Sequence, residues 1–166
     1  MSISVLREQK STVPDRSVGG LMRRAIRERN ILFLCQDNAC LSQIAEAVAR
    51  RLSPPKIRIF SAGVKPSTIP AQVHKVMQEL GVSLSGQASK GMDQVPLNEI
   101  DLVVSFDDAD KKCAALPAKA KIERWPVPAP ARPGDDPTTL STLRQDRDEI
   151  NKRVSALFLD YWRNIS

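Results

Sequence analysis

The stretch that decides the fold is "ILFLCQDNACLSQIAEAVARRL", Ile31 to Leu52. Ile31–Leu34 is a short apolar run and reads as a buried strand. From Ser42 to Leu52 the period changes to that of a helix, with Ile44, Ala45, Val48 and Leu52 on one face. The turn between them opens with Cys35 and continues Gln36, Asp37, Asn38, Ala39, Cys40, Leu41, Ser42. Successive N–H groups in a tight loop, followed by a helix N-terminus, form a nest for an anion. The same field lowers the pKa of a thiol at its mouth, so Cys35 is a candidate nucleophile toward a phosphate-like anion. Yet the loop holds a carboxylate, Asp37, and neither arginine nor lysine.

Outward from this unit the pattern repeats. Ile57–Phe60 is a second strand, closed by Ser61-Ala62-Gly63. Pro70 starts a helix with Val73, Val76, Met77 and Leu80 as its apolar stripe and Gly81 as its stop. Asp101–Phe106 and Lys121–Trp125 are further strands. A helix with an acidic first turn is expected from Asp107 to about Leu116. After the proline-rich "PVPAPARPGDDP", a long helix is expected from about Thr138 to Trp162, with Leu143, Ile150, Val154, Leu157 and Tyr161 inward. Alternating strands and helices predict an α/β fold: three layers, a four-stranded parallel sheet with helices on both faces. The crevice of such a sheet lies at the carboxyl ends of its strands, where strand order reverses.

The chain has 166 residues, 42% hydrophobic and 27% charged, enough for one domain with a sizeable core. No apolar run approaches the roughly 18–20 residues of a membrane span, and no secretion signal is visible. Three cysteines, Cys35, Cys40 and Cys113, make no disulfide framework, so a reducing cytoplasm is the expected location. The net charge is +6, and a surplus of four falls before Asn30. Residues 1–29 read as a basic extension, mobile at its start, and residues 30–166 as the domain. The extension is a candidate surface for a protein partner. Nucleic acid is disfavoured, because no aromatic residues interleave the basic ones. No motif for a metal, nucleotide or other cofactor is present, and the single histidine, His74, falls mid-helix.

The cysteine loop, together with "QIAEA", resembles the low-molecular-weight protein tyrosine phosphatases and the related thioredoxin-coupled arsenate reductases. "FSAGVKPSTIPAQVHKVMQELGVSLSGQASKGM", "DLVVSFDD", "ERWPVPAP" and "RQDRDEINKRVSALF" resemble further segments of that family, in the same order. The resemblance implies the nucleophile at Cys35 and loop-bracing roles for Asn38 and Ser42. Their structural alternative is a helix N-cap at Ser42 and a turn residue at Asn38. Asp107 matches an acidic residue that follows the third strand. Cys35 and Cys40 form a pair that can be reversibly oxidised in the resembled phosphatases. The alternative for Cys40 is apolar packing. A relay through a third thiol would have only Cys113, whose position suits a core residue.

Three departures bear on activity. Leu41 stands where the family has the arginine that grips the phosphate, a group worth on the order of 10³–10⁵ in rate in other phosphoryl-transfer enzymes. Ala129 falls at the position of the family's general acid, a loss of roughly 10²–10⁴; Asp136, seven residues later, is a candidate substitute. Asp37 replaces a glycine and would repel a dianion. The expectation is an impaired family member acting as a binding or regulatory module. The alternative is an active cysteine-dependent phosphatase, helped by Asp136 and an arginine such as Arg23 or Arg24, or a thiol-redox enzyme using Cys35 with Cys40.

Overall fold

The structure, a computed structural model, describes residues 30–128 and 137–165, with side chains through residue 159. The expectations for the extension, Arg23, Arg24, Ala129, Asp136 and the side chains of Tyr161 and Trp162 lie outside the described residues. Four strands form one parallel sheet: β1 (Asn30–Cys35), β2 (Arg58–Gly63), β3 (Leu102–Phe106) and β4 (Lys121–Trp125), in the order β2-β1-β3-β4. The α-helices are α1 (Leu41–Leu52), α2 (Ala71–Gln78) and α3 (Pro137–Ile165).

The central strands are apolar on both faces because both faces are covered. Ile31, Phe33 and Cys35 join α1, α2 and α3 in one core cluster, with Leu143, Ile150 and Val154 from α3. Leu32 and Leu34 point the other way and join Ala62, Val95, Ile100, Val103 and Ala109. That second face is covered by short 3₁₀ turns, Met92–Gln94, Leu97–Glu99 and Ala109–Lys112. The helix expected from Asp107 to Leu116 is therefore only one 3₁₀ turn. Asp107 and Asp108 both take left-handed angles, φ 53°. Asp110 turns inward, accepting a 2.6 Å bond from Ser105 Oγ and a two-point grip from Arg124. These local polar bonds compete with helix continuation. Trp125 closes β4, buried edge-on against Phe33 and Phe106.

Helix α3 is clamped to the end of α2. Arg144 bonds both oxygens of Glu79, and Arg147 donates to Glu79 and to the Val76 carbonyl. The Arg144 bonds hold the Glu79 carboxyl down at about 2. Its contribution is present above the usual carboxylate range and fades as pH falls toward 2.

A second carboxylate on α3 is strained the other way. Asp146 is 5% exposed, and its Oδ2 finds no hydrogen-bond partner among the described residues. Burial raises its pKa from 3.8 to about 6. The folded state thus holds the proton more tightly than the unfolded chain. The cost of the charge is absent below about 4 and complete above about 6, so stability falls as pH rises through that window. Replacing Asp146 with Asn should leave the melting temperature unchanged near pH 4. At pH 7.5 it should raise it by about 4–8 °C, from about 2 kcal/mol of relieved penalty. Equal melting differences at both pH values would refute the assignment.

Candidate functional site

The chain runs from β1 to β2 on one side and then crosses to β3 on the other, so strand order reverses between β1 and β3. Cys35 is the last residue of β1 and sits at that reversal. The loop that follows is fixed by its carbonyls, which are bonded outward. Cys35 O accepts Val64 N at 3.1 Å, Gln36 O accepts Lys65 N at 2.7 Å, and Asp37 O accepts Ser67 N at 3.1 Å and Ser89 Oγ at 2.7 Å. With the carbonyls so engaged, the loop turns N–H groups inward, as a nest requires.

Asn38 is the hub. It takes φ 50° and is fully buried. Its Nδ2 donates to Ser42 Oγ at 2.8 Å and Ser61 Oγ at 3.0 Å, while Oδ1 accepts Gln43 Nε2 at 2.8 Å and Lys90 N at 2.9 Å. All four bonding positions of the side-chain amide are filled. Ser42 is not the helix cap that its position suggested. Helix α1 begins at Leu41 with Cys40 as the cap residue and no side-chain cap bond. Ser42 Oγ instead lies 2.8 Å from Cys35 Sγ, because the Asn38 amide already fills one of its lone pairs and directs it to the sulfur.

Glycine at position 63 lets this loop close. It pairs with Cys35 across the sheet, and a Cβ there would lie 2.6 Å from Asn38 N and 2.7 Å from the Asp37 carbonyl carbon. Both are backbone atoms that cannot step aside. Gly63→Ala should therefore cost about 1–3 kcal/mol and speed alkylation of the Cys35 thiol relative to the wild type. An unchanged melting temperature and thiol reactivity would show that the strand yields instead.

Below the hub lies a charged layer. Glu46, buried on α1, accepts Ser61 Oγ at 2.9 Å and Arg50 Nη2 at 2.9 Å. The Lys90 ammonium donates to Ser61 Oγ at 3.0 Å and lies 3.5 Å from Glu46. The path Glu46–Ser61–Asn38–Ser42–Cys35 is continuous. Ser61 and Gly63 lie at a strand carboxyl end that the sequence marks as chemically suggestive, without roles assigned, whereas Gln43, Glu46 and Lys90 are not singled out by sequence. The available signal was Glu46 within the apolar run of α1, between Ala45 and Ala47.

At the thiol, three groups favour the thiolate: the Ser42 hydroxyl, the Ser42 N–H, and Asn38 N–H at 3.2 Å. Burial outweighs them, and Asp37 adds to it, so the Cys35 pKa is raised rather than lowered. The lowering expected from the loop's N–H groups is present but outweighed by the depth of the sulfur, and Asp37 raises the thiol pKa in the direction its charge implies. The thiol donates toward Asp37 Oδ1 at 3.8 Å, and the same oxygen accepts Ala39 N–H at 3.2 Å. Cys40 is buried and its pKa is also pushed up, by burial first and then by Asp146. Cys35, Cys40 and Cys113 are free thiols. Cys113 packs with the opposite core cluster.

Leu41 is 2% exposed and belongs to the core cluster. Among the described residues, Lys90 and Arg50 pair with Glu46, Arg124 with Asp110 and Arg147 with Glu79. Gln36 Nε2 is buried without an acceptor. The arrangement is thus an anion nest with its sulfur and braces in place and a leucine where a cation would sit.

Residues 30–164 match the low molecular weight phosphotyrosine protein phosphatase family. The chain belongs to that family. It is 36% identical over 126 residues to an arsenate reductase of Bacillus subtilis, covering 75% of this chain and 91% of that one. A second arsenate reductase, of Halalkalibacterium halodurans, is 34% identical over 126 residues, with coverage of 75% and 91%. Among solved structures, an arsenate reductase in its oxidized state superposes with a TM-score of 0.66 at 26% identity, covering 79% of this chain and 97% of that one. The YwlE arginine phosphatase shares the fold, with a TM-score of 0.62 at 19% identity and coverage of 75% and 90%. The family membership and the α/β fold with a four-stranded parallel sheet agree with the reading of the sequence. Among the described residues no helix is long and apolar enough to cross a membrane.

Proposed function

We propose that this chain is a phosphatase-family protein that has lost oxyanion chemistry and serves as a binding or regulatory module built on the inherited loop. The observation that carries this is Leu41, packed into the core at the position from which the family's cation would act. A transition state that spreads charge over phosphoryl oxygens needs preorganised positive charge. Here the loop itself supplies backbone N–H groups and no cationic side chain, and Asp37 works against them. The raised pKa of Cys35 adds to the case, since a thiol is a poor nucleophile until ionised.

A second reading, a thiol-redox enzyme of the arsenate reductase kind, draws support from arsenate reductase relatives that include those at 36% and 34% identity and from the free thiols of Cys35 and Cys40. Against it stands the placement of Cys113 in the opposite core cluster, which leaves a two-thiol rather than a three-thiol exchange.

The test is hydrolysis of a small aryl phosphate by the purified, reduced protein beside Cys35→Ser, with thioredoxin-coupled arsenate reduction run in parallel. The proposal expects neither activity above the Cys35→Ser background. Phosphate release that depends on Cys35 would make the protein a working phosphatase, and arsenate turnover that depends on it would select the redox reading.

A further inference from the structure

We infer that the Asp37 carboxylate is the loop's own resident anion, and that it makes Cys35 accessible to uncharged ligands and closed to anionic ones. This deepens the reading just given and rests on it.

The geometry has two parts. Asp37 Oδ1 accepts a loop N–H, that of Ala39, at 3.2 Å. The same oxygen lies 3.8 Å from Cys35 Sγ and accepts from it. An oxyanion held for attack would need those same two contacts: a nest N–H, and the sulfur within reach. The carboxylate oxygen therefore stands where a bound oxyanion would place one of its own. The bond to Ala39 N is one that an Asx turn makes by itself. The contact to the sulfur is not part of such a turn, and it ties the side chain to the mouth of the nest.

The surroundings explain why this arrangement persists. The loop backbone is held open by outward bonds from Val64, Lys65, Ser67 and Ser89, so its shape needs no bound ion. Leu41 offers no positive charge that a second anion could share with Asp37. Lys90 is spent on Ser61 and Glu46. A free phosphate would have to displace a tethered carboxylate, and Leu41 supplies no charge to compensate for the repulsion. A neutral group meets no such obstacle, and a cationic one is attracted.

The test uses charge selectivity at one sulfur. Alkylation of Cys35 by iodoacetamide, which is neutral, and iodoacetate, which is anionic, is followed by peptide mass spectrometry in the wild type, Asp37→Asn and Asp37→Gly. The ratio of the two rates cancels changes in thiol ionisation. Asn keeps the turn and loses the charge, whereas Gly loses both. The expected result is a neutral-to-anionic ratio at least about fivefold higher in the wild type than in either variant. Inorganic phosphate at about 100 mM should slow alkylation in the variants and not in the wild type, the protection following one plus ligand over Kd. A ratio in Asp37→Asn within twofold of the wild type would reduce Asp37 to a turn residue and overturn the inference. Equal phosphate protection of the wild type would do the same. Thermal melts confirm that each variant is folded, and Asp37→Ser replaces Asn if that variant is not. None of these readings requires turnover, so a wild type that hydrolysed an aryl phosphate would refute the proposed function while leaving the selectivity ratio to be judged separately.

Discussion

The triple variant Leu41→Arg, Ala129→Asp, Asp37→Gly is expected to hydrolyse an aryl phosphate at least about 10³-fold faster than the wild-type protein, with Cys35 as the nucleophile. The arginine supplies most of that gain. A positioned guanidinium on a transferring phosphoryl group is worth on the order of 10³–10⁵, and its fork matches two phosphoryl oxygens at once. The acid restores a proton for the leaving group, on the order of 10²–10⁴ where the loop delivers it. The glycine removes a carboxylate that lies 3.8 Å from the sulfur. The remaining parts are already in place: a serine 2.8 Å from the sulfur, an N–H at 3.2 Å, and a loop whose carbonyls face away. Leu41 is buried, so the arginine must leave the core for the nest, and a melting curve must accompany the assay. A folded triple variant without Cys35-dependent turnover would sink the view that only these parts are missing. Single substitutions should show where the gain arises, with Leu41→Arg leading.

The second large effect is at Asn38. Asn38→Ala should destabilise the protein by about 3 kcal/mol and lower the melting temperature by about 6–12 °C. Four side-chain hydrogen bonds disappear from a fully buried site. The backbone N–H of Lys90 is left without the acceptor it has here, and Gln43 Nε2 loses one of its three acceptors. Alanine must also hold φ 50°, which asparagine tolerates better. Asn38→Asp would separate the two effects, since it keeps the left-handed tolerance while losing the donors. A loss under about 1 kcal/mol for Ala would mean that the loop is held by its outward carbonyl bonds alone.

How much of this was legible beforehand depended on the kind of signal. The strands were legible because a parallel sheet covered on both faces needs continuous apolar runs, and "ILFL" and "LVVSF" supply them. Helix α1 was legible because its apolar residues recur at the helical period. The segment after β3 misled, since an acidic first turn suits a helix end. The structure spends those charges differently, turning Asp110 inward to Ser105 and Arg124. Cys35 and the loop were found by spacing. For Ser42 the bracing role implied by the family resemblance matches its contacts with Asn38 and the sulfur, whereas the alternative of a helix cap does not, since Cys40 holds that position. The Glu46–Ser61–Lys90 layer was not found, since its members come from three separate segments and no spacing rule joins them. Asp146 had a local signal that went unread: a carboxylate on the face that also carries Leu143 and Ile150, where a carboxylate is expensive.

The outward-bonded carbonyls of the cysteine loop have a consequence for descent. In this chain the loop's form comes from Val64, Lys65, Ser67, Ser89 and the hub at Asn38, not from any ion it holds. Folding therefore exerts little selection on position 41 as a source of charge. A change of charge at position 41 would thus alter what the loop attracts without removing any of the outward bonds that shape it.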